Sequence, residues 1–150
     1  MTKFLTLALF VVLVVGGGSL IGINNIPGEW YQSLAKPPFN PPNWIFGPVW
    51  TILYALIAVA GWRIWNSHRT GGAMTVWWLQ LGLNFLWSPV FFTLHQIALA
   101  FLIIVTLLVA ILVFISITWA RDRVAAWLFV PYAPWVAFAA LLNGSIWMLN

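Results

Sequence analysis

Long runs of apolar residues recur along the chain, separated by shorter polar stretches. Five such runs lie at about residues 4–23, 44–65, 74–94, 97–119 and 124–149. Each is close to the roughly 20 residues that an α-helix needs to cross a hydrocarbon core of about 30 Å. The pattern therefore predicts an all-α membrane protein, a bundle of five transmembrane helices that forms one domain over residues 1–150.

The first apolar run follows Lys3, which is also typical of a secretory signal peptide. However, the stretch Gly16-Gly17-Gly18-Ser19 contains no clear Ala-x-Ala cleavage site, and apolar residues continue to Ile23. We therefore predict a retained helix, in which the glycines loosen the helix or allow close packing.

The one long connector, at about residues 24–43, is rich in proline and aromatic residues. It contains Glu29-Trp30-Tyr31, and four of the seven residues from Lys36 to Pro42 are proline. Proline at this density prevents a regular helix and favours a stiff, extended trace. We predict a lid between the first and second helices, with a simple linker as the alternative.

The few charged residues favour one orientation in the membrane. Only 5% of the residues are charged and 63% are hydrophobic, so the lipid bilayer must be the solvent. Five crossings place five basic residues on the side of the N-terminus, namely Lys3, Arg63, Arg69, Arg121 and Arg123, and only Lys36 on the other. The positive-inside rule then predicts a cytoplasmic N-terminus and an external lid loop, in a bacterial-type cell membrane.

The ionisable residues exclude several function classes. The basic residues are scattered, so no nucleic-acid partner is expected. Glu29 and Asp122 both lie outside the spans, whereas an ion-coupled pump needs an ionisable group at membrane depth. His68 and His95 fall on opposite sides and cannot share a metal, although axial haem ligation by His95 remains an alternative. No catalytic residue and no metal site is predicted.

Polar residues inside the third run follow a helical spacing. Trp77, Gln80, Asn84, Trp87 and Phe91 are three or four residues apart and therefore share one helix face. An amide in hydrocarbon needs a partner, so this face should point into the bundle. The stripe predicts a cavity wall, and simple hydrogen bonding between helices is the alternative.

The second and fifth runs carry similar stripes. Their members are Trp50, Tyr54 and Ile57 in the second run and Tyr132, Trp135, Ala139 and Asn143 in the fifth. Prolines in the third and fifth runs should kink those helices and open space between them. Together the three stripes predict a flat slot with aromatic walls and a few amide groups, which suits a large planar hydrophobic ligand.

Several motifs together resemble one known family. They are Trp30-Tyr31, Leu34-Ala35-Lys36-Pro37, Pro41-Pro42-Asn43-Trp44, Gly47-Pro48-Val49-Trp50-Thr51, Trp87-Ser88-Pro89 and Val130-Pro131-Tyr132. In this order the chain resembles the translocator protein family, also called tryptophan-rich sensory proteins or peripheral-type benzodiazepine receptors.

The resemblance implies a five-helix bundle, a ligand cavity under the loop, and a homodimer formed through the third helix. The outer face of that helix offers Leu79, Gly82, Leu83 and Leu86. The ligands implied are porphyrins such as protoporphyrin IX, haem-related tetrapyrroles, and synthetic isoquinoline carboxamides or benzodiazepines. The cavity positions that carry over are Trp30, Tyr31, Trp50, Asn84, Trp87, Trp135, Ala139 and Asn143.

These features predict a membrane receptor or carrier for porphyrins, acting in tetrapyrrole homeostasis and stress sensing. No obligatory cofactor is expected, and the porphyrin would be a ligand. One alternative is an enzyme that degrades porphyrins with light and oxygen. Another is a transporter of small lipophilic molecules such as sterols, although the last helix lacks the tyrosine and basic residue of the family's proposed cholesterol motif.

Overall fold

Helices make up all of the regular secondary structure in residues 2–150, the part of the chain that the computed structural model describes. We number them α1 (Lys3–Asn24), α2 (Glu29–Ser33), α3 (Asn43–His68), α4 (Gly72–Ser88), α5 (Ile97–Thr118) and α6 (Arg123–Leu149). A π-helical turn at Val12–Gly16 interrupts α1, and another at Pro89–Thr93 extends α4. A 3-10 turn at Asn43–Ile45 opens α3, and α6 divides into Arg123–Phe129 and Tyr132–Leu149 around Pro131.

Four of these helices, α1, α3, α5 and α6, are long and apolar enough to cross a membrane. This finding agrees with the predicted class of helical membrane protein. The third predicted span corresponds to α4 and its π-helical turn, which is helical but is not one of the four. Its two amides, Gln80 and Asn84, reduce the mean hydropathy of an otherwise apolar helix.

Side-chain caps fix two of the helix starts. The Leu5 N–H donates to the Thr2 hydroxyl at 3.2 Å, and the Ala125 N–H donates to the Asp122 carboxylate at 3.2 Å. The same carboxylate accepts two hydrogen bonds at 3.0 Å from Arg63, one from Nε and one from Nη2. Asp122 therefore caps α6 and also joins it to α3.

Helix packing places α5 between two neighbours and divides α1 between two others. The central helix α5 packs along both α4 and α6. The first part of α1, Lys3–Gly16, packs on α3, whereas Gly17–Asn24 packs on α4. Close approach of α3 and α4 depends on Gly61, since an added Cβ there would overlap the buried Trp77 indole.

The long connector contains one helical turn that the sequence did not predict. Glu29–Ser33 forms α2, while the proline-rich stretch up to Pro42 has no regular structure, as expected. The positions of the prolines explain the difference, because Pro27 precedes α2 and the next proline of the connector is Pro37, after α2 has ended.

Candidate functional site

A cavity of about 640 Å³ lies between α1, α3, α4 and α6, next to the long connector. This volume is within the usual range of small-molecule sites, roughly 300–1,000 Å³. Eight of the twelve predicted site residues line it: Tyr31, Trp50, Tyr54, Asn84, Trp87, Phe91, Ala139 and Asn143. The three stripes therefore meet around one space, while ligand binding by these residues stays a prediction.

The other four predicted site residues lie outside the lining of this cavity. Gln80 and Tyr132 are fully buried and joined to the lining residue Asn84 by hydrogen bonds. The Trp30 indole stacks on His95, with ring centroids 4.0 Å apart. The ring of Trp135 lies edge-on to Trp50 at 6.5 Å and borders a separate, shallow depression of about 430 Å³.

Several lining residues were not among the predicted site residues, and the glycine run in α1 was the signal for one of them. An added Cβ at Gly18 would overlap the Tyr54 ring, so only glycine lets that ring rest against the α1 backbone. Other lining residues, Asn25, Asn40 and Asn43, come from the connector and its junctions, where no periodic pattern points to a face.

A chain of hydrogen bonds joins four polar side chains at and behind the cavity wall, namely Tyr54, Asn84, Tyr132 and Gln80. The Tyr54 hydroxyl donates to Asn84 Oδ1 at 3.3 Å, and Asn84 Nδ2 donates to the Tyr132 hydroxyl at 2.6 Å. The Tyr132 hydroxyl in turn donates to Gln80 Oε1 at 2.9 Å. Asn84 therefore both bonds to neighbouring helices and lines the cavity. Its amide is largely satisfied by hydrogen bonds within the protein.

A second buried amide, Asn143, connects three helices at the cavity wall. Its Oδ1 accepts a hydrogen bond from Trp87 Nε1 at 2.9 Å, and its Nδ2 donates to the Ile97 carbonyl at 3.0 Å. These bonds hold the Trp87 indole in place beside Phe91, whose ring centroid is 5.6 Å away. Asn143 therefore positions an aromatic wall of the cavity.

The cavity is uncharged and mostly apolar. Its described lining contains no Asp, Glu, Lys, Arg or His, and it has aromatic side chains from α3, α4 and the connector. Within residues 2–150 no group of three or more His, Cys, Asp or Glu residues is placed to hold a metal. His95, considered as an axial haem ligand, is not among the lining residues. Such a cavity suits binding of a hydrophobic ligand better than acid–base chemistry.

Tyr31 holds the connector against the helix bundle beside the cavity. This side chain is buried, and its ring meets the Phe92 ring edge-on at 5.3 Å. Burial raises the pKa of the Tyr31 phenol, an effect opposed by its hydrogen bond to Asn40, so the neutral phenol acts as a donor. Lys36 Nζ lies 4.6 Å from the centre of the same ring.

A second fastening joins the connector to the end of α6. The Ala35 N–H donates to Asn150 Oδ1 at 3.1 Å, and Asn150 Nδ2 donates to the Ala35 carbonyl at 2.9 Å. The side chain of Asn150 thus pairs with both backbone polar groups of one connector residue, although 115 positions separate them along the chain.

Comparisons with known proteins agree over nearly the whole chain. Residues 8–148 match the TspO/MBR family. The tryptophan-rich protein TspO of Archaeoglobus fulgidus is 37% identical over 152 aligned positions, which cover 97% of this chain and 96% of that protein. The translocator protein of the sheep Ovis aries is 35% identical, covering 92% and 86%. Protein CrtK of Rhodobacter capsulatus is 37% identical, covering 83% and 80%.

Proposed function

The chain belongs to the TspO/MBR family, and we propose that it is a receptor or carrier that binds porphyrins in the cavity between α1, α3, α4 and α6. Its four apolar helices and its family make it an integral membrane protein. The proposed ligands are protoporphyrin IX or haem-related tetrapyrroles, and the proposed role is in tetrapyrrole homeostasis and stress sensing.

The observation that carries this proposal is the uncharged cavity with aromatic walls. Trp50 and Tyr54 line it from α3, and Trp87 and Phe91 line it from α4. Aromatic rings stack favourably on a large planar π-system, and the cavity volume of about 640 Å³ is that of a site for one sizeable small molecule.

The finer membrane arrangement is part of the same proposal. In it α4 is a fifth crossing, because its two amides are buried inside the bundle at 0% and 5% exposure and do not face lipid. The N-terminus then lies in the cytoplasm, and the connector forms an external lid over the cavity. The contacts of Tyr31 and Asn150 support the lid by holding the connector in place.

We also propose a homodimer formed through the outer face of α4. Leu79 and Leu86 are 56% and 50% exposed on this helix, and an added Cβ at Gly82 would meet no atom within 4 Å. Small residues between exposed leucines let two helices approach closely in lipid. This face points away from the cavity, so a dimer would leave the ligand site open.

Titration of the purified protein in lipid nanodiscs with protoporphyrin IX tests the function. Saturable quenching of tryptophan fluorescence in the dark is the expected result. The same complex is then illuminated in air, and the porphyrin is followed by absorbance and mass. An unchanged porphyrin supports a receptor or carrier, whereas a product that forms only with the protein supports the degrading enzyme. No saturable quenching would refute the proposal.

A further inference from the structure

The cavity is exposed on one side only, between α1 and α3. The exposed residues of its lining are Ser19, Gly22, Ile23, Ile26, Asn43, Gly47 and Thr51. All of them belong to α1, the residues just after it, or the start of α3. Every lining residue contributed by α4 and α6 is buried or half-buried. The opening therefore lies at the side of the bundle.

Helix packing explains the opening. The first part of α1 packs on α3, and Gly18 still meets the Tyr54 ring, but Gly17–Asn24 packs mainly on α4, so the two helices diverge beyond Gly18 toward the connector. Two glycines of the exposed lining, one from each helix, leave the space beside them empty. An added Cβ at Gly22 or at Gly47 would meet no atom within 4 Å.

The end of the cavity beneath the connector is closed by contrast. Tyr31 is only 6% exposed and packs against Phe92, and the Ala35–Asn150 pair fastens the following residues to α6. Access by this route would require these contacts to break, whereas the side opening requires no such change.

We propose that ligands reach and leave the cavity sideways from the bilayer, through a portal between Gly17–Asn24 of α1 and the start of α3. This inference rests on the proposed function, because it concerns ligand binding in the same cavity. Both helices are apolar enough to cross the membrane, so the portal faces lipid tails and interface.

The portal also indicates the class of ligand. Its rim carries Ser19 and Asn43, whose side chains make no hydrogen bond within the described residues. A membrane-dissolved amphiphile fits this arrangement, with its apolar ring in the cavity and a hydrogen-bonding edge at the rim. Such a molecule would be concentrated by the bilayer before it binds.

Binding kinetics in nanodiscs test the portal, with protoporphyrin IX as the probe. The variants are Gly22→Phe and Gly47→Phe, which place a ring in the opening, and Gly72→Phe as a matched control. Gly72 is also exposed with no atom within 4 Å of an added Cβ, and it is not a lining residue. Asn150→Ala tests the alternative route, because it releases the connector from α6.

The portal predicts that association and dissociation are each slowed about tenfold in Gly22→Phe and Gly47→Phe, because both rates share the barrier at the opening. Gly72→Phe and Asn150→Ala should keep the original rates. Faster exchange in Asn150→Ala, with no effect at either portal glycine, would overturn the portal and favour access beneath the connector. Absence of saturable binding by the unaltered protein would instead refute the proposed function itself.

A cleavable crosslink across the portal tests the proposal without a bulky substitution, so the result does not depend on whether the Phe variants fold. The chain contains no cysteine, so Gly22→Cys combined with Gly47→Cys can be joined selectively by a cleavable bismaleimide. Exchange should slow by about tenfold after joining and recover after cleavage. Exchange that is as fast in the joined protein as in the cleaved protein would contradict the portal.

Discussion

The amide nitrogen of Asn84 lies 2.6 Å from the phenolic oxygen of Tyr132, although the two residues belong to different helices and only Asn84 lines the cavity. The Tyr132 hydroxyl in turn donates to Gln80 Oε1, so one phenol bonds to two buried amides, while Gln80 Nε2 has no hydrogen-bond partner within the described residues. The polar part of the cavity wall is therefore supported by a residue that does not itself line the cavity.

Tyr132→Phe should destabilise the protein with little direct effect on the cavity wall. Loss of the hydroxyl leaves Asn84 Nδ2 and Gln80 Oε1 without their partners, which costs about 1–3 kcal/mol for a buried group. Thermal unfolding in nanodiscs measures the change. Tyr54→Phe is the matched control, since it removes one longer bond of 3.3 Å from a half-buried residue, and it should cost less.

Trp50→Ala should weaken protoporphyrin IX binding more than Trp135→Ala does. Trp50 lines the cavity, so its loss removes a stacking surface worth about 1 kcal/mol beyond contact area, a several-fold increase in Kd. Trp135 lies behind it and should act only indirectly. Fluorescence-quenching titrations compare the two variants.

Trp119→Ala is the control for these titrations, because Trp119 is 40% exposed at the end of α5 and lies under Arg123. Its Kd should equal that of the unaltered protein. Equal losses in all three variants, or losses that follow thermal stability, would show that the ligand binds elsewhere.

Gly18→Ala should disturb the cavity through Tyr54. The added methyl group overlaps the tyrosine ring, and overpacking of this kind costs typically 1–3 kcal/mol. Moving the ring also breaks its bond to Asn84, so both thermal stability and porphyrin affinity should fall. Gly16→Ala, two residues away with no atom within 4 Å, should leave both unchanged. Similar losses in the two variants would point to helix distortion rather than this contact.

Cysteines at Ala35 and Asn150 should form a disulfide on mild oxidation if the connector is a lid held against α6. Backbone and side-chain atoms of these residues are already within hydrogen-bonding distance. The control pair places one cysteine at Ala35 and the other at Asn66, at the far end of α3, and should stay reduced. Non-reducing mass spectrometry distinguishes the outcomes, and absence of the first disulfide contradicts a closed lid.

Gly82→Trp should convert the proposed dimer into monomers. A bulky ring on the outer face of α4 keeps two helices from the close approach that drives association in lipid. Native mass spectrometry in nanodiscs and in detergent measures the mass of the assembly. Gly72→Trp, on the same helix but at its start, should leave the dimer intact. A monomer in the unaltered protein would refute the dimer directly.

Local patterns along the chain were enough to predict the membrane class, the approximate helix bounds and the stripes that meet at the cavity. These properties depend on local spacing: apolar runs of bilayer length require helices, and residues three or four apart share a face whatever surrounds them. For the same reason Trp50, Asn84 and Ala139 were identified from spacing alone as residues facing the bundle interior.

The packing of the helices selects which members of each stripe line the cavity and which lie behind the lining residues. A stripe covers a wide arc of its helix, and the neighbouring helices determine which part of that arc faces open space. Trp135 and Tyr132 therefore lie behind Trp50 and Asn84, although spacing made them equivalent. The proposed portal depends on where the packing of α1 changes from α3 to α4, a relation between distant segments that no local pattern contains.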